Sequence, residues 1–161
     1  MSVNATFTAA WIVVASTVTL PPPIIGTPEI TDGDTILIAD TRIRLWGIDA
    51  PETDQLCWDF KDRAYHCGLL ASDVLYDEIG GREVVCNPVD TDKYGRTVAI
   101  CFVDGRDLGD IMVRRGWAID RPYFSNGKYR DAESEAHREK RGMWAGRFQA
   151  PWDWRMEHPQ P

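Results

Sequence analysis

The strongest constraint on how this chain can fold is a hairpin encoded by residues 82–103. Two runs rich in β-formers, "REVVCNPV" and "TVAICFV", flank "DTDKYGR", a polar stretch suited to a turn. Closing the hairpin near Lys93 and Tyr94 sets Cys86 opposite Cys101, where a cross-strand disulfide can form. The other two cysteines, Cys57 and Cys67, bracket the polar loop "WDFKDRAYH". Four cysteines without C-x-x-C spacing favour disulfides over a zinc site. Of the three possible connectivities we adopt 57–67 with 86–101. The competing reading is that free cysteines serve as small buried hydrophobes.

Around this hairpin the chain reads as short strands followed by helices. "IIGTPEI" (24–30) is a strand, turned by Asp32 and Gly33. "DTILIAD" and "TRIRLWGI" (34–48) alternate across a tight turn near Ala39 and Asp40, so the open end of their hairpin brings Asp34 close to Arg44. Over 65–79, Leu69, Leu70, Val74, Leu75 and Ile79 recur at helical spacing until Gly80 and Gly81 stop the run. A second helix spans 107–116, from an Asp107 cap to Gly116, and a third spans 128–142 with Ala132 and Ala136 on one face. The 161 residues, 43% of them hydrophobic, are enough for one core. Five strands with a helix between the third and fourth predict an α+β, mainly β fold: a five-stranded OB-type Greek-key barrel with three helices. We place the domain at residues 24–146.

The ends lie outside that domain. "TAAWIVVASTVTL" (8–20) is apolar or small and is followed by "PPPIIGTP". It reads as the hydrophobic part of an export signal or membrane anchor, although no Lys or Arg precedes it and it is short for a membrane span. The alternative is a disordered or strand-like arm; in either case 1–23 is an arm ending in a proline linker. Residues 147–161 form a Trp-rich tail. Trp144, Trp152 and Trp154 are assigned to packing, and His66, His137 and His158 lack ligand spacing. Export and the cysteines together predict a secreted or periplasmic protein, with a membrane anchor through the arm as a variant of that reading.

Chemistry concentrates in "RIRLWGIDAPE", residues 42–52. Phosphodiester hydrolysis requires stabilisation of a highly charged phosphorus centre and activation of a water molecule. Asp34 and Asp49 offer hard oxygen donors suited to Ca²⁺, and Glu52, just beyond Asp49, can orient or deprotonate a water. Pro51 stiffens the corner and favours an extended Ala50, whose backbone carbonyl is then free to face a metal. Arg44 and Arg96 can each present a planar fork to phosphate. The net charge of -7 argues against capture of nucleic acid on a broad basic face and suits a local, metal-assisted site.

At these residues the chain resembles the staphylococcal nuclease, or thermonuclease, family. "DGDT" (32–35), "RLWGIDAPE" (44–52), "DKYGR" (92–96) and "MVRRGWA" (112–118) occur in the family's order, and the resemblance runs from Ile24 to Trp144. The four cysteines resemble those of some exported bacterial members. The resemblance implies an OB barrel with three helices and Ca²⁺-dependent cleavage of DNA and RNA leaving 3′-phosphate ends. It implies that Asp34, Asp49 and the Ala50 carbonyl bind metal, that Arg44 and Arg96 bind phosphate and stabilise charge, and that Glu52 positions or activates water. Lys93 and Tyr94 fall where the family contacts the phosphate of a flanking nucleotide.

The chain departs from the family after "GWAID". Where the best-known member has two alternating tyrosines, this sequence has Pro122 and Phe124 with Tyr123 between them, so base stacking is assigned to Tyr123 or Phe124. The expected protein is a monomer with DNA or RNA as substrate and no obligate protein partner. The alternative reading is a non-catalytic OB module that binds nucleic acid or protein. It predicts loss of Arg44, Glu52 or Arg96, and all three are present.

Overall fold

The computed structural model describes residues 20–159. The export signal or anchor expected over 8–20 therefore lies outside the described residues, except for Leu20 itself. Strands β1 (Ile24–Gly26), β2 (Glu29–Asp32), β3 (Thr35–Ile38) and β4 (Thr41–Leu45) come first, followed by the short strands β5 (Ile48–Asp49), β6 (Leu56–Trp58) and β7 (Ala64–His66). Helix α1 (Cys67–Ile79) precedes β8 (Val84–Thr91), β9 (Thr97–Val103) and β10 (Arg106–Asp107). Next come α2 (Leu108–Arg114), β11 (Ile119–Asp120), α3 (Pro122–Ser125), α4 (Arg130–Arg138), a 3-10 turn (Gly142–Ala145) and α5 (Pro151–Glu157).

The main sheet is mixed. Its hydrogen-bonded order is β1-β8-β9-β4-β3-β2, with β10 also on β9. Strands β4 and β9 run parallel, while the other neighbours are antiparallel. The single strand expected over 24–30 is divided: β1 pairs with β8 and β2 with β3. Thr27 and Pro28 lie at the break, and Pro28 has no N–H to give a ladder. Because β1 and β2 stand at opposite ends of the strand order but are joined by two residues, the sheet must curl until its edges approach within roughly 10 Å.

The expected β8–β9 hairpin is present with Cys86 opposite Cys101, and that pair is disulfide-bonded, as are Cys57 and Cys67. Helix α1 starts at Cys67 instead of residue 65, because Ala64–His66 is taken into a ladder with Leu56–Trp58. Its buried face is Cys67, Gly68, Ala71, Leu75 and Ile79, which leaves the expected core positions Leu69 and Leu70 exposed. Asp107 caps α2 as expected, accepting hydrogen bonds from Gly109 N at 2.8 Å and Asp110 N at 3.4 Å. The third expected helix is shorter than 128–142. Lys140 adopts a left-handed conformation, and the Lys140 and Arg141 amides turn back onto the His137 and Ala136 carbonyls, closing α4.

Among the described residues five α-helices replace the expected three. The additional ones, α3 and α5, each begin with a proline in the first turn, where its fixed φ suits a helix and its missing N–H costs nothing.

Two apolar clusters divide the interior. The larger lies between the curled sheet and α1 and α2, around Ile36, Ile43, Leu45, Ala71, Leu75, Val103, Leu108 and Met112. The smaller surrounds the Cys57–Cys67 bridge with Ile119 and Met143, and receives Trp117, Trp144, Phe148 and Trp152. Residues 147–152 are thereby packed against the domain, and α5 is carried to a fixed place. No helix among the described residues is long and apolar enough to cross a membrane.

The Cys86–Cys101 bridge closes a loop of sequence separation 15. By chain entropy such a loop contributes about 3 kcal/mol, so reduction should lower Tm by several degrees in calorimetry. Four free thiols in protein recovered from an oxidising compartment would contradict the assignment.

Candidate active site

The first acid is placed by a turn and by close packing. Asp32 accepts the Asp34 amide at 2.9 Å across Gly33. A Cβ on Gly33 would lie 2.7 Å from the Ala71 side chain and 2.8 Å from that of Ala50, so glycine lets α1 and the Asp49–Ala50 segment close on the turn. The buried Asp34 carboxylate accepts from Thr35 Oγ1 at 3.0 Å and from the Ala50 amide at 2.9 Å. Burial, then the charge of Asp34, push the Asp32 carboxyl up to about 7. Negative charge is therefore crowded at this turn.

Asp49 is the centre of the site and is wholly buried. Strand β5 pairs with β11, setting Asp49 opposite Ile119 two residues before Arg121. Asp49 Oδ1 accepts from Arg44 Nη2 at 2.6 Å and from Arg155 Nη2 at 3.1 Å. Its Oδ2 accepts from Arg155 Nη2 at 2.9 Å and from Arg121 Nη1 at 3.2 Å. Arg44 Nη2 also lies 3.1 Å from Asp34 Oδ2, as the strand register Thr35 to Arg44 requires. Asp34 holds the Arg44 guanidinium more firmly charged, against burial and with help from Asp49. Arg121 extends over the rings of Phe124 and Trp152, with ring centroids at 5.2 and 4.8 Å.

Glu52 sits on a corner fixed from three directions. Pro51 is buried, the Gln55 amide donates to the Glu52 carbonyl at 2.8 Å, and the buried Gln55 side chain donates to the Gln149 carbonyl at 2.7 Å. Gly68 of α1 packs so tightly on the corner that a Cβ there would lie 1.8 Å from the Glu52 carbonyl oxygen. The Glu52 side chain is 33% exposed, and Arg155 Nη1 donates to its Oε1 at 2.7 Å. Burial opposes the charge on Arg155, but Asp49 and then Glu52 outweigh it and hold the guanidinium firmly protonated.

The structure thus brings Asp34, Arg44, Asp49, Ala50 and Glu52 together. Arg96 is elsewhere engaged: on the β8–β9 hairpin it donates to Asp92 at 2.7 Å and lies over the Tyr94 ring, as does Lys93. Tyr94 is exposed. Tyr123 is not on a strand but in the one-turn helix α3, 89% exposed and edge-on to Phe124.

The donor set fits a hard divalent cation in its chemistry. One nitrogen of Arg44 touches carboxylates of both Asp34 and Asp49, so these oxygens are within reach of a single positive centre. Among the described residues no three His, Cys, Asp or Glu side chains form a ready cage, and guanidinium nitrogens take these oxygens instead.

The sequence profile of the family described as "Staphylococcal nuclease homologue" matches residues 42–146. The succinoglycan biosynthesis protein ExoI of Rhizobium meliloti (strain 1021) is 37% identical over 76% of this chain and 65% of its own length. The probable staphylococcal-like nuclease CAN1 of Oryza sativa subsp. japonica is 32% identical over 78% of this chain and 35% of its own. The probable endonuclease LCL3 of Clavispora lusitaniae is 34% identical over 64% of this chain and 47% of its own. The chain thus spans less than two thirds of each of these relatives.

Arg121 and Arg155 are the site residues that sequence reasoning did not identify. Arg121 follows "GWAID" in a segment that departs from the resemblance, and Arg155 lies beyond residues 42–146. The available signal for Arg155 was "PWDWRM", a proline-initiated helical turn with aromatic residues to anchor it and an arginine between them and solvent.

Gly68 provides a test of how the corner is held. Gly68→Ala should destabilise the protein by about 1–3 kcal/mol through overpacking and should displace Glu52, with both effects read by denaturant unfolding and a crystal structure of the variant. A variant with wild-type stability and an unmoved Glu52 would refute the tight contact.

Proposed function

The chain belongs to the staphylococcal nuclease homologue family, and on that premise we propose that it is a Ca²⁺-dependent nuclease that cleaves DNA, RNA or both and leaves 3′-phosphate ends. The observation that carries this reading is the convergence of Asp34, Arg44, Asp49 and Glu52 around one buried carboxylate. The names of the rice and Clavispora relatives support nuclease chemistry.

In this mechanism Arg44, paired with Asp34 and Asp49 in the resting site, binds a non-bridging phosphate oxygen and strengthens its hold as charge develops on phosphorus. Glu52 orients a water and accepts its proton as the water oxygen bonds to phosphorus. The P–O5′ bond breaks, O5′ takes a proton from solvent water, and Glu52 returns its proton to solvent, so phosphate remains on the 3′ side. Arg96 contributes a second fork after exchanging Asp92 for phosphate. Lys93 and Tyr94 contact the flanking nucleotide from the same hairpin, and the exposed Tyr123 offers a stacking face. Asp34, Asp49 and the Ala50 carbonyl would hold Ca²⁺, which supplies Lewis-acid charge to the phosphate when bound.

The remaining assignments extend the same reading. Residues 24–146 form the catalytic domain, and the approach of β1 to β2 at the two edges of the sheet supports an OB-type barrel. Two disulfides suggest an extracytoplasmic location. We assign the protein to the periplasm or the secreted fraction, with residues 1–23 as leader or anchor, acting as a monomer without an obligate protein partner.

Incubation with single-stranded DNA, duplex DNA and RNA, with Ca²⁺ or chelator, tests the function. Cleavage only with Ca²⁺, leaving ends that a 3′-phosphatase must open before extension, is expected. Binding without cleavage would replace this reading by the non-catalytic OB module.

Site roles separate by variant. Arg96→Ala should reduce activity by about 10³-fold with little change in Ca²⁺ affinity, because its fork acts on the transition state. Asp34→Ala should weaken Ca²⁺ binding, with added metal restoring only part of the rate. Near-wild-type cleavage by folded Arg96→Ala would remove Arg96 from the mechanism.

A further inference from the structure

Arg155 holds the carboxylates that the nuclease reading needs to be free. Its two η nitrogens engage Glu52 Oε1 at 2.7 Å and Asp49 at 2.9 and 3.1 Å. A carboxylate paired with a guanidinium is a poor base, and one whose oxygens are both taken by arginines is a poor metal ligand. The contact is built into the fold. Pro151 is buried, Trp152 packs on the disulfide cluster, and Gln149 is tied to Gln55, so α5 delivers Arg155 to this corner.

Charge indicates what displaces it. Asp34, Asp49 and Glu52 face Arg44, Arg121 and Arg155, so the paired groups are formally neutral. A divalent cation alone would leave this group positive, and a phosphodiester alone would leave it negative. Arriving together, they nearly balance. Arg155 is also well placed for a phosphate: it shares Asp49 Oδ1 with Arg44 and Asp49 Oδ2 with Arg121. Donors that share one acceptor oxygen lie about 5 Å apart, a span that one phosphate group can bridge. Its side chain is 33% exposed, more than those of Arg44 at 19% and Arg121 at 27%, so it is the readiest of the three to turn outward.

We propose that Arg155 is an exchange residue, bound to Asp49 and Glu52 in the resting protein and transferred to a substrate phosphate when a divalent cation takes those oxygens. The proposal rests on the nuclease reading and adds to it a substrate-binding residue outside the segment that matches the family. It makes metal and substrate bind cooperatively, because each removes the partner that the other would have to displace.

Two measurements that require no cleavage test it. Calorimetric titration of Ca²⁺ into the metal-free protein should show Arg155→Gln binding more tightly than wild type by about tenfold or more. In saturating Ca²⁺, the same variant should bind a single-stranded phosphorothioate oligonucleotide about tenfold more weakly, with a shallower salt dependence. Arg155→Lys keeps the charge but cannot bridge both acids, so it should fall between the two and covers the case in which Gln compromises folding. Equal or weaker Ca²⁺ binding by a folded variant overturns the proposal, as does unchanged oligonucleotide affinity or no Ca²⁺ binding by any of the proteins. Failure of the wild type to cleave any nucleic acid would instead strike the nuclease reading, which these titrations judge separately.

Discussion

Asp49 carries a charge with no access to solvent, and burying a lone carboxylate costs several kcal/mol unless cations and hydrogen bonds offset it. Here the compensation comes from Arg44, Arg121 and Arg155, on three widely separated stretches of chain. Arg44 is on a central strand of the main sheet, Arg121 directly follows the strand that pairs with β5, and Arg155 is on the last helix. Bringing all three to one carboxylate requires the sheet, the small ladder and the C-terminal helix to be in place together. Site assembly and completion of the fold are therefore the same event. The sequence separation of these residues makes it a non-local one.

The surroundings explain why the three arginines converge. Gly33 and Gly68 remove side chains where α1 meets the two acidic turns, and in each case a methyl group would press on packed side chains or backbone. The Cys57–Cys67 bridge anchors the start of α1 and forms the floor on which Trp152 and Phe148 rest. That second cluster is what carries the helix bearing Arg155 to an acidic corner. An acidic protein with net charge -7 thus keeps a local concentration of guanidinium groups at one place. Field strength near the site is set by this arrangement and not by overall charge.

Much of this was legible in the sequence for physical reasons. The hairpin around Lys93 and Tyr94 was readable because strand alternation and a polar turn fix register, and register fixes which cysteines face each other. Asp34 and Arg44 were readable as neighbours because they close the open end of a short hairpin. Other features depended on tertiary contacts. The start of α1 moved because the Leu56–Trp58 strand claimed Ala64–His66, and Leu69 and Leu70 lost their expected burial when Gly68 and Ala71 took the inward face. Tyr123 stands in a helical turn begun by Pro122, so it does not take the alternating placement of the two tyrosines in the resemblance. Arg155 was hidden for a different reason: no local spacing relates residue 155 to residues 49 and 52, and tertiary contacts of Gln149, Pro151 and Trp152 bring them together.

The dependence of the fold on the Asp49 clasp is open to direct measurement by denaturant unfolding of Asp49→Asn against the wild-type protein in chelator. The substitution keeps the shape and removes the charge, leaving three guanidiniums around a neutral amide. A loss of about 3 kcal/mol or more is expected, as for breaking one side of a buried ion network. Unchanged or increased stability would mean that the carboxylate is held in the site against repulsion and not by the arginines, and would contradict the account.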